Sequence, residues 1–235
     1  MNRKRPVKAI FTKQAKDMMK SPMALVMFLM FPAVAFIMTN LIDIDVEGFP
    51  NPNMFVTMMA AIFAGMGLIT AVSDAIAEDI ERKCLRFLVI AGVKPHQYLL
   101  GTGGFFLLAG TVTSVVFALI GSFTMQETVK FLAIMVSGVA ASILLGATIG
   151  IYAKNRQTAT ALGMHAAVLV GFTPMIANFN EAVERFAGVL YTQQINVIVN
   201  DFSVGLWRPL LVIAGNIAVL AALFVAAYKK KGLKG

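Results

Sequence analysis

Long, uncharged and largely apolar runs alternate along the chain with short polar stretches. Six such runs occupy residues 22–42, 54–72, 98–123, 131–153, 158–177 and 209–228. Each is close to the roughly 20 residues that a helix needs to cross the hydrocarbon core of a bilayer. A backbone in lipid must satisfy its own hydrogen bonds, so each run is predicted to be a transmembrane helix. Pro32 lies in the middle of the first run and is expected to kink it.

Residues 78–92 are the one long charged segment between two of these runs. Apolar residues nevertheless recur there at spacings of three and four, at Ile80, Cys84, Phe87, Leu88 and Ala91. That spacing predicts a short helix with one apolar face and one charged face. Gly92 is expected to end the helix, and Pro95 bars its continuation. Such a helix at a membrane surface suits contact with a partner.

The first 20 residues carry seven basic side chains against one acidic side chain, Asp17. Their apolar residues share one helical face, at Val7, Ile10, Phe11, Ala15 and Met18. We predict an amphipathic interfacial helix over residues 1–20, lying on an anionic inner leaflet. A simple basic tail is the alternative. A secretory signal fits less well, because the apolar run that follows is too long and no A-x-A cleavage site closes it.

Basic residues also predict the orientation of the chain in the membrane. Of the 20 lysines and arginines, 17 lie before the first run, between the second and third, between the fourth and fifth, or after the last. The positive-inside rule therefore places both termini and the charged helix in the cytoplasm. The first loop on the other side carries Asp43, Asp45 and Glu47 and is predicted to lie outside.

The last predicted outer segment, residues 178–207, is much longer than the loop before it. Charged residues alternate there with apolar ones, which predicts one or two short amphipathic helices at the outer membrane face. Tyr191 and Trp207 are candidate interfacial anchors. The alternative is a connector without a role of its own.

Composition supports the membrane class and excludes others. The chain is 58% hydrophobic with a mean hydropathy of +0.78, and 14% of its residues are charged, against about 25% in soluble domains. This excludes an ordinary cytosolic globule and a disordered protein. The net charge of +8 does not indicate nucleic acid binding, because the basic residues cluster at the ends of the apolar runs. The single cysteine, Cys84, excludes an internal disulfide and lacks metal-ligating neighbours.

Motifs for catalysis are missing from the sequence, so no enzymatic activity is expected. It contains neither G-x-x-x-x-G-K-[ST] nor H-E-x-x-H, and His96 is expected at the surface. The glycines of 101–104 open an apolar run and are assigned to helix packing. A stripe of small residues at Gly138, Ser142, Gly146 and Gly150 predicts close helix contact, either within one chain or across a dimer seam.

A candidate transport path is suggested by an ionisable residue inside the fifth run. His165 is the only ionisable residue within the six runs, and it either lines a path or is packed as a neutral side chain. The absence of carboxylates within the runs argues against a proton- or sodium-coupled carrier. Adaptable Met and aromatic side chains in the first, second and fifth runs suit a greasy substrate, although lipid contact explains them equally well. The path candidates are Met27, Met58, Phe63, Met66, His165 and Phe172.

Three short motifs and the six-run pattern together resemble a known family. The motifs are E-R-K-C-L-R-F-L at 81–88, G-V-K-P at 92–95 and Y-L-L-G at 98–101. The chain resembles the membrane (permease) subunit of ATP-binding-cassette (ABC) type 2 exporters, which often read E-K-G-T-L-R-x-L, a proline turn and L-x-G-K. Lys83 stands where many members have glycine, Cys84 replaces threonine, and Thr102 replaces lysine. The letters N-E at 180–181 and Y-T-Q-Q at 191–194 resemble Gram-positive bacterial members.

The resemblance implies an all-α membrane protein with six spans, an interfacial helix, a cytoplasmic coupling helix over 78–92 and short outer helices before the last span. It implies a half-transporter in the bacterial plasma membrane. Two membrane subunits, as a homodimer or heterodimer, would pair with two separate ATPase subunits that hold ATP and magnesium, and this chain would carry no cofactor. The expected activity is export of a drug-, peptide- or lipid-like substrate.

In such a transporter the coupling helix meets the ATPase. The charged side chains expected to dock there are Glu81, Arg82, Lys83 and Arg86. Phe87 and Leu88 would fill the ATPase groove or anchor the helix to the bundle. A secondary carrier or channel is the main alternative, and a membrane enzyme or immunity-type binding protein is a further one.

Overall fold

The computed structural model describes residues 4–20, 22–41, 53–177 and 180–232. Within those ranges the chain is helical and forms no strand. The helices are α1 Lys4–Lys20, α2 Pro22–Leu41, α3 Met54–Ile62, α4 Leu68–Glu81, α5 Cys84–Ile90, α6 Pro95–Ile120, α7 Met125–Tyr152, α8 Arg156–Ala177, α9 Glu181–Ala187, α10 Tyr191–Asn200 and α11 Trp207–Gly232. A π-helical turn, Phe63–Gly67, joins α3 to α4 without a break.

Five helices in the described ranges are each long and apolar enough to cross a membrane. They are Met54–Glu81, Pro95–Ile120, Met125–Tyr152, Arg156–Ala177 and Trp207–Lys230. This confirms the predicted class, a helical multi-pass membrane protein. The helix α2 continues through Pro32, and its apolar part, Phe28–Leu41, is shorter than the other five. The predicted outer loop with Asp43, Asp45 and Glu47 lies outside the described residues.

The ends of these helices fall at two opposite ends of the bundle. Arg156 at the start of α8 contacts Asp74, about two turns before the end of α4, and Tyr228 near the end of α11 contacts Val93 just before α6. We call this end the basic end. At the opposite end, Lys130 near the start of α7 donates to the carbonyl of Phe202, just before α11. The long helices therefore alternate in direction, which is the up-and-down arrangement that short connections produce.

Helix α7 lies at the centre of the bundle, and its small residues explain how closely it packs. A Cβ atom on Gly146 would lie 2.6 Å from the carbonyl oxygen of Ile69, and one on Gly150 would lie 2.7 Å from that of Ser73. The G-x-x-x-G pair therefore seats α7 against α4 at backbone distance. This favours packing within one chain over a dimer seam.

The segment predicted to lie outside contains two short helices, α9 and α10, but α10 does not lie on the surface. Its residues Ile195, Ile198 and Val199 are buried, and the side chain of Ile195 covers Gly138 of α7. Tyr191 is also buried, with its hydroxyl 2.8 Å from that of Ser142, so its prediction as an interfacial anchor is wrong. Trp207 is exposed.

The first helix forms as predicted, but its apolar face contacts protein. Ile10 is buried over Gly101 of α6, where a Cβ atom would lie 2.6 Å from the Cβ of Ile10. The ring of Phe11 packs edge-on against Phe105, with centroids 5.7 Å apart. The glycine motif that begins at Gly101 thus serves helix packing, as expected. The contact leaves Lys8, Lys16 and Lys20 on the exposed side of α1.

Candidate functional site

A short, tightly bounded helix, α5, connects the membrane-spanning helices α4 and α6 at the basic end. Lys83 precedes it in the left-handed region at φ 60°. Gly92 follows it at φ 78°, in a conformation that glycine adopts without strain. The amides of Gly92 and Val93 bond to the carbonyls of Val89 and Leu88 at 3.0 Å and 2.9 Å, which is the Schellman pattern of a helix end. The predicted stop at Gly92 is confirmed.

The predicted single helix over 78–92 is divided in the structure, and its apolar face differs. Helix α4 continues to Glu81, and α5 begins after Lys83, which is in the left-handed conformation. The chain therefore turns at Lys83, and the side chains of α5 no longer continue the helical periodicity of α4. As a result Leu85 is buried, although it was not on the predicted face. Leu88 packs against the core and anchors α5 to the bundle. Phe87 is 68% exposed and has no anchoring role.

The exposed side of α5 and the turn before it combines positive charge with large apolar side chains. Phe87 and Ile90 are the two apolar residues, and sequence reasoning missed Ile90 because its position falls off the predicted stripe. Arg86 is exposed and faces away from the buried Leu85. We call this set the docking surface. Its members are Glu81, Arg82, Lys83, Arg86, Phe87 and Ile90.

Charges on the docking surface differ in how they are paired. Arg82 contacts Glu78, one turn earlier on α4, at 2.7 Å. Among the described residues no acidic side chain forms an ion pair with Lys83 or Arg86. These two cations are therefore free to meet a partner, and Arg86 offers a planar fork that matches a carboxylate.

A forked ion pair holds the base of α4 to the start of α8. The Nε and Nη2 atoms of Arg156 donate to the two oxygens of Asp74 at 2.7 Å and 2.6 Å. Glu78 lies 3.4 Å from Nη1 of the same arginine, so it bridges Arg156 and Arg82. Forked pairs fix orientation as well as charge. The docking surface therefore begins at the end of α4, and α4 is held in place by its ion pairs with Arg156 of α8.

The six candidate path residues do not line a common surface. Phe63 is fully buried among the rings of Phe28, Phe31 and Phe117, at centroid distances of 5.7 Å, 6.0 Å and 5.8 Å. It is a core residue here, so its assignment to a path surface does not hold for this conformation. Met66 packs over Gly171 of α8. Met58 and Phe172 are half-buried at the edge of the core, and the side chain of Met27 lies outside the described residues.

His165 lies on the outward face of α8. Its ring Nδ1 is 2.6 Å from the carbonyl oxygen of Ala161, one turn earlier, and the side chain is exposed on the single chain. It is therefore not packed in the interior of this chain. The neighbouring side chains Leu162, Met164 and Leu169 are exposed on α8 as well.

Among the described residues, no group of three or more His, Cys, Asp and Glu side chains is placed to hold a metal ion. Comparison with known proteins gave no family model and no curated protein that matches the chain.

Proposed function

We propose that this chain is the membrane subunit of an ABC type 2 exporter, which moves a hydrophobic or amphipathic substrate out of a bacterial cell. The observation that carries the proposal is the docking surface. It presents unpaired cations and exposed apolar side chains on a short helix that continues directly into two membrane-spanning helices. A soluble ATPase with an acidic groove lined by apolar side chains would fit this surface.

The connection between the docking surface and the membrane supports a transmission role. Helix α3, the π-helical turn and α4 form one uninterrupted helical rod from Met54 to Glu81. At the other side of α5, the Schellman turn leads within three residues to Pro95 and α6. Closure of two ATPase subunits on bound ATP would move α5, and α4 and α6 would carry that displacement into the bundle. ATP hydrolysis then belongs to the partner.

The proposal includes a sixth span and a cytoplasmic location for both termini. Helix α2, Pro22–Leu41, is the sixth span, and its 20 residues match the thickness of a bilayer core. The basic end faces the cytoplasm, in agreement with the asymmetry of lysine and arginine along the chain.

A second membrane subunit is proposed to cover the outward faces of α2 and α8. These faces expose apolar side chains on both helices, including Leu29, Phe36 and Leu169. His165 lies among them, and an ionisable side chain facing lipid at mid-span is unfavourable. A partner subunit would remove His165 from lipid and place it at a path between the two copies.

The decisive experiment reverses one charge on the docking surface. Arg86→Glu replaces a free cation with an anion, whereas Lys154→Glu makes the same type of change at an exposed site outside the docking surface. Each variant is co-expressed with a candidate ABC ATPase from the same organism and measured for co-purification, ATP hydrolysis and export in vesicles. Loss of one partner of a desolvated interface pair costs about 2–5 kcal/mol.

We expect Arg86→Glu to lose ATPase binding, or to keep hydrolysis while export stops, and Lys154→Glu to resemble the wild type. Equal assembly and equal export by both variants would refute the docking role of α5. Transport driven by an ion gradient without ATP would instead favour the secondary carrier.

A further inference from the structure

A buried carboxylate lies two residues before the end of α4. Asp79 is 1% exposed. A buried carboxylate is costly unless each oxygen has a partner. Its Oδ1 accepts from the ammonium of Lys13 on α1, and its Oδ2 accepts from the hydroxyl of Tyr98 on α6 at 2.8 Å. The side chain of Asp79 thus joins its own helix, α4, to both α1 and α6.

These contacts continue around the base of α5. The ring of Tyr98 packs against that of Tyr228 on α11, with centroids 5.8 Å apart. The hydroxyl of Tyr228 donates to the carbonyl of Val93 at 3.2 Å, in the turn that follows α5. Asp79 lies before α5 and Val93 lies after it, so the same chain of contacts holds both ends of the docking helix.

We propose that Asp79, Lys13 and Tyr98 form a transmission joint, which makes α1, α4 and α6 respond together when α5 is displaced. The inference rests on the proposed function and adds positioning residues to it. None of the three belongs to the docking surface. Their role is to set the position of α5 relative to the bundle and to α1.

The arrangement of charges allows the joint to open without stranding a charge. Lys13 also contacts Asp17 of its own helix at 3.2 Å, and its side chain is 39% exposed. When α1 and α4 separate, the ammonium keeps Asp17 and water as partners, while Oδ2 of Asp79 keeps Tyr98 and Oδ1 becomes accessible to water. An apolar contact of the same size would hold the helices together, but its groups would have no alternative partners when the helices separate.

The Lys13 side chain of the joint is charged at neutral pH. Burial alone lowers the pKa of Lys13, but the hydrogen bonds and negative charges of Asp79 and Asp17 outweigh it and raise the pKa above 10.5. A raised lysine pKa contributes stability that is fully present below the unfolded value and is lost as the pH rises through the folded value. Lys13 therefore keeps its charge near pH 7, and the trigger that we propose for the joint is mechanical displacement of α5.

The test measures the joint directly and then its effect on transport. Spin labels on native Cys84 in α5 and on Lys16→Cys in α1 report the distance between the two helices in liposomes. We expect a narrow distance distribution in the parent protein, a broad one in Asp79→Asn and Lys13→Met, and a narrow one in Lys13→Arg, which keeps the cation. Asp17→Asn is the matched control, because it removes only the exposed partner of Lys13.

In complex with the ATPase, Asp79→Asn is expected to keep co-purification and hydrolysis while export per ATP falls at least about fivefold, the lower range of coupling effects. An unchanged distance distribution in Asp79→Asn would overturn the joint. A parallel loss of hydrolysis and export would also overturn it, since it would indicate a structural role only. If the wild type binds no ATPase, the proposed function fails, and the distances still decide whether Asp79 holds α1 to α5.

Discussion

Ser142 of α7 donates a hydrogen bond to the carbonyl of Ala64 in the π-helical turn. A π-helical turn shifts the bonding register of a helix and tends to leave a carbonyl without its usual partner. Ser142 has one proton, so the Tyr191 hydroxyl, 2.8 Å away, must be the donor in their shared bond. The three residues link α7, the widened turn and α10 at a buried point inside the bundle.

Removal of the Ser142 hydroxyl should destabilise the bundle. Ser142→Ala removes the bond to the Ala64 carbonyl and leaves the Tyr191 hydroxyl buried without its partner, at a cost of about 1–3 kcal/mol for an unsatisfied group. Ser137→Ala is the control, since that hydroxyl bonds only within its own helix, to Ile134. The midpoint of thermal unfolding in detergent measures the stability of both variants. Equal midpoints for the two variants would show that the π-helical turn does not need Ser142.

The closeness of α7 and α4 predicts a strong difference between two glycines. Gly146→Ala places a methyl group 2.6 Å from the Ile69 carbonyl oxygen, whereas Gly215→Ala on α11 meets nothing within 4 Å. We expect Gly146→Ala to cost about 1–3 kcal/mol through overpacking. Gly215→Ala should be neutral or stabilising by up to about 1 kcal/mol, because alanine favours helix. A stability assay in which both changes have the same effect would contradict the packing described.

The two left-handed residues that bound α5 predict changes of opposite sign. Lys83 adopts φ 60° at the cost of Cβ crowding, so Lys83→Gly should stabilise the turn by up to about 1 kcal/mol. Gly92 adopts φ 78° with open space around it, so Gly92→Ala should destabilise by about 1–2 kcal/mol through backbone strain alone. Stability and ATPase docking should be measured together. Stabilisation by Gly92→Ala would show that this turn differs from the structure.

Orientation in the membrane can be tested with the native cysteine. Cys84 is half-buried at the start of α5, and the distribution of basic residues predicts a cytoplasmic position. An impermeant maleimide should leave Cys84 unmodified in intact cells and label it in inverted vesicles. A cysteine introduced at Trp207, which is exposed at the opposite end, should show the reverse pattern in a Cys84→Ser background. Labelling of Cys84 from outside would invert the topology and remove the basis for ATPase docking.

Sequence reasoning found the long helices because length and the absence of charge leave few alternatives in lipid. It also found the end of α5, since Gly92 and Pro95 are local signals. It missed the phase of α5 because Lys83, unlike glycine, does not indicate a left-handed turn. It missed the pairing of Lys13 with Asp79 because the two are 66 residues apart and no periodic pattern marks them.

Tyr191 shows a different limit of the sequence. An aromatic residue beside an apolar run is typical of a membrane interface, and the small residues that receive it lie on another helix. Only the structure places Ser142 and Gly138 opposite α10. The candidate path residues were equally hard to predict. Phe63 and Met66 are both large apolar residues three positions apart, but Phe63 is buried in the core whereas Met66 packs over Gly171.

The buried position of α10 has a consequence for the order in which the protein is made. Ten residues span only about 15 Å, and Gln193, Gln194 and Asn196 make this helix too polar to enter lipid alone. Four helices, α3, α7, α8 and α11, surround α10, and α11 emerges from the ribosome after α10. The set of helices around α10 is therefore incomplete until α11 has been synthesised. Until α11 inserts, the polar side chains of Gln193, Gln194 and Asn196, which are buried in the folded chain, lack part of the protein surface that separates them from lipid.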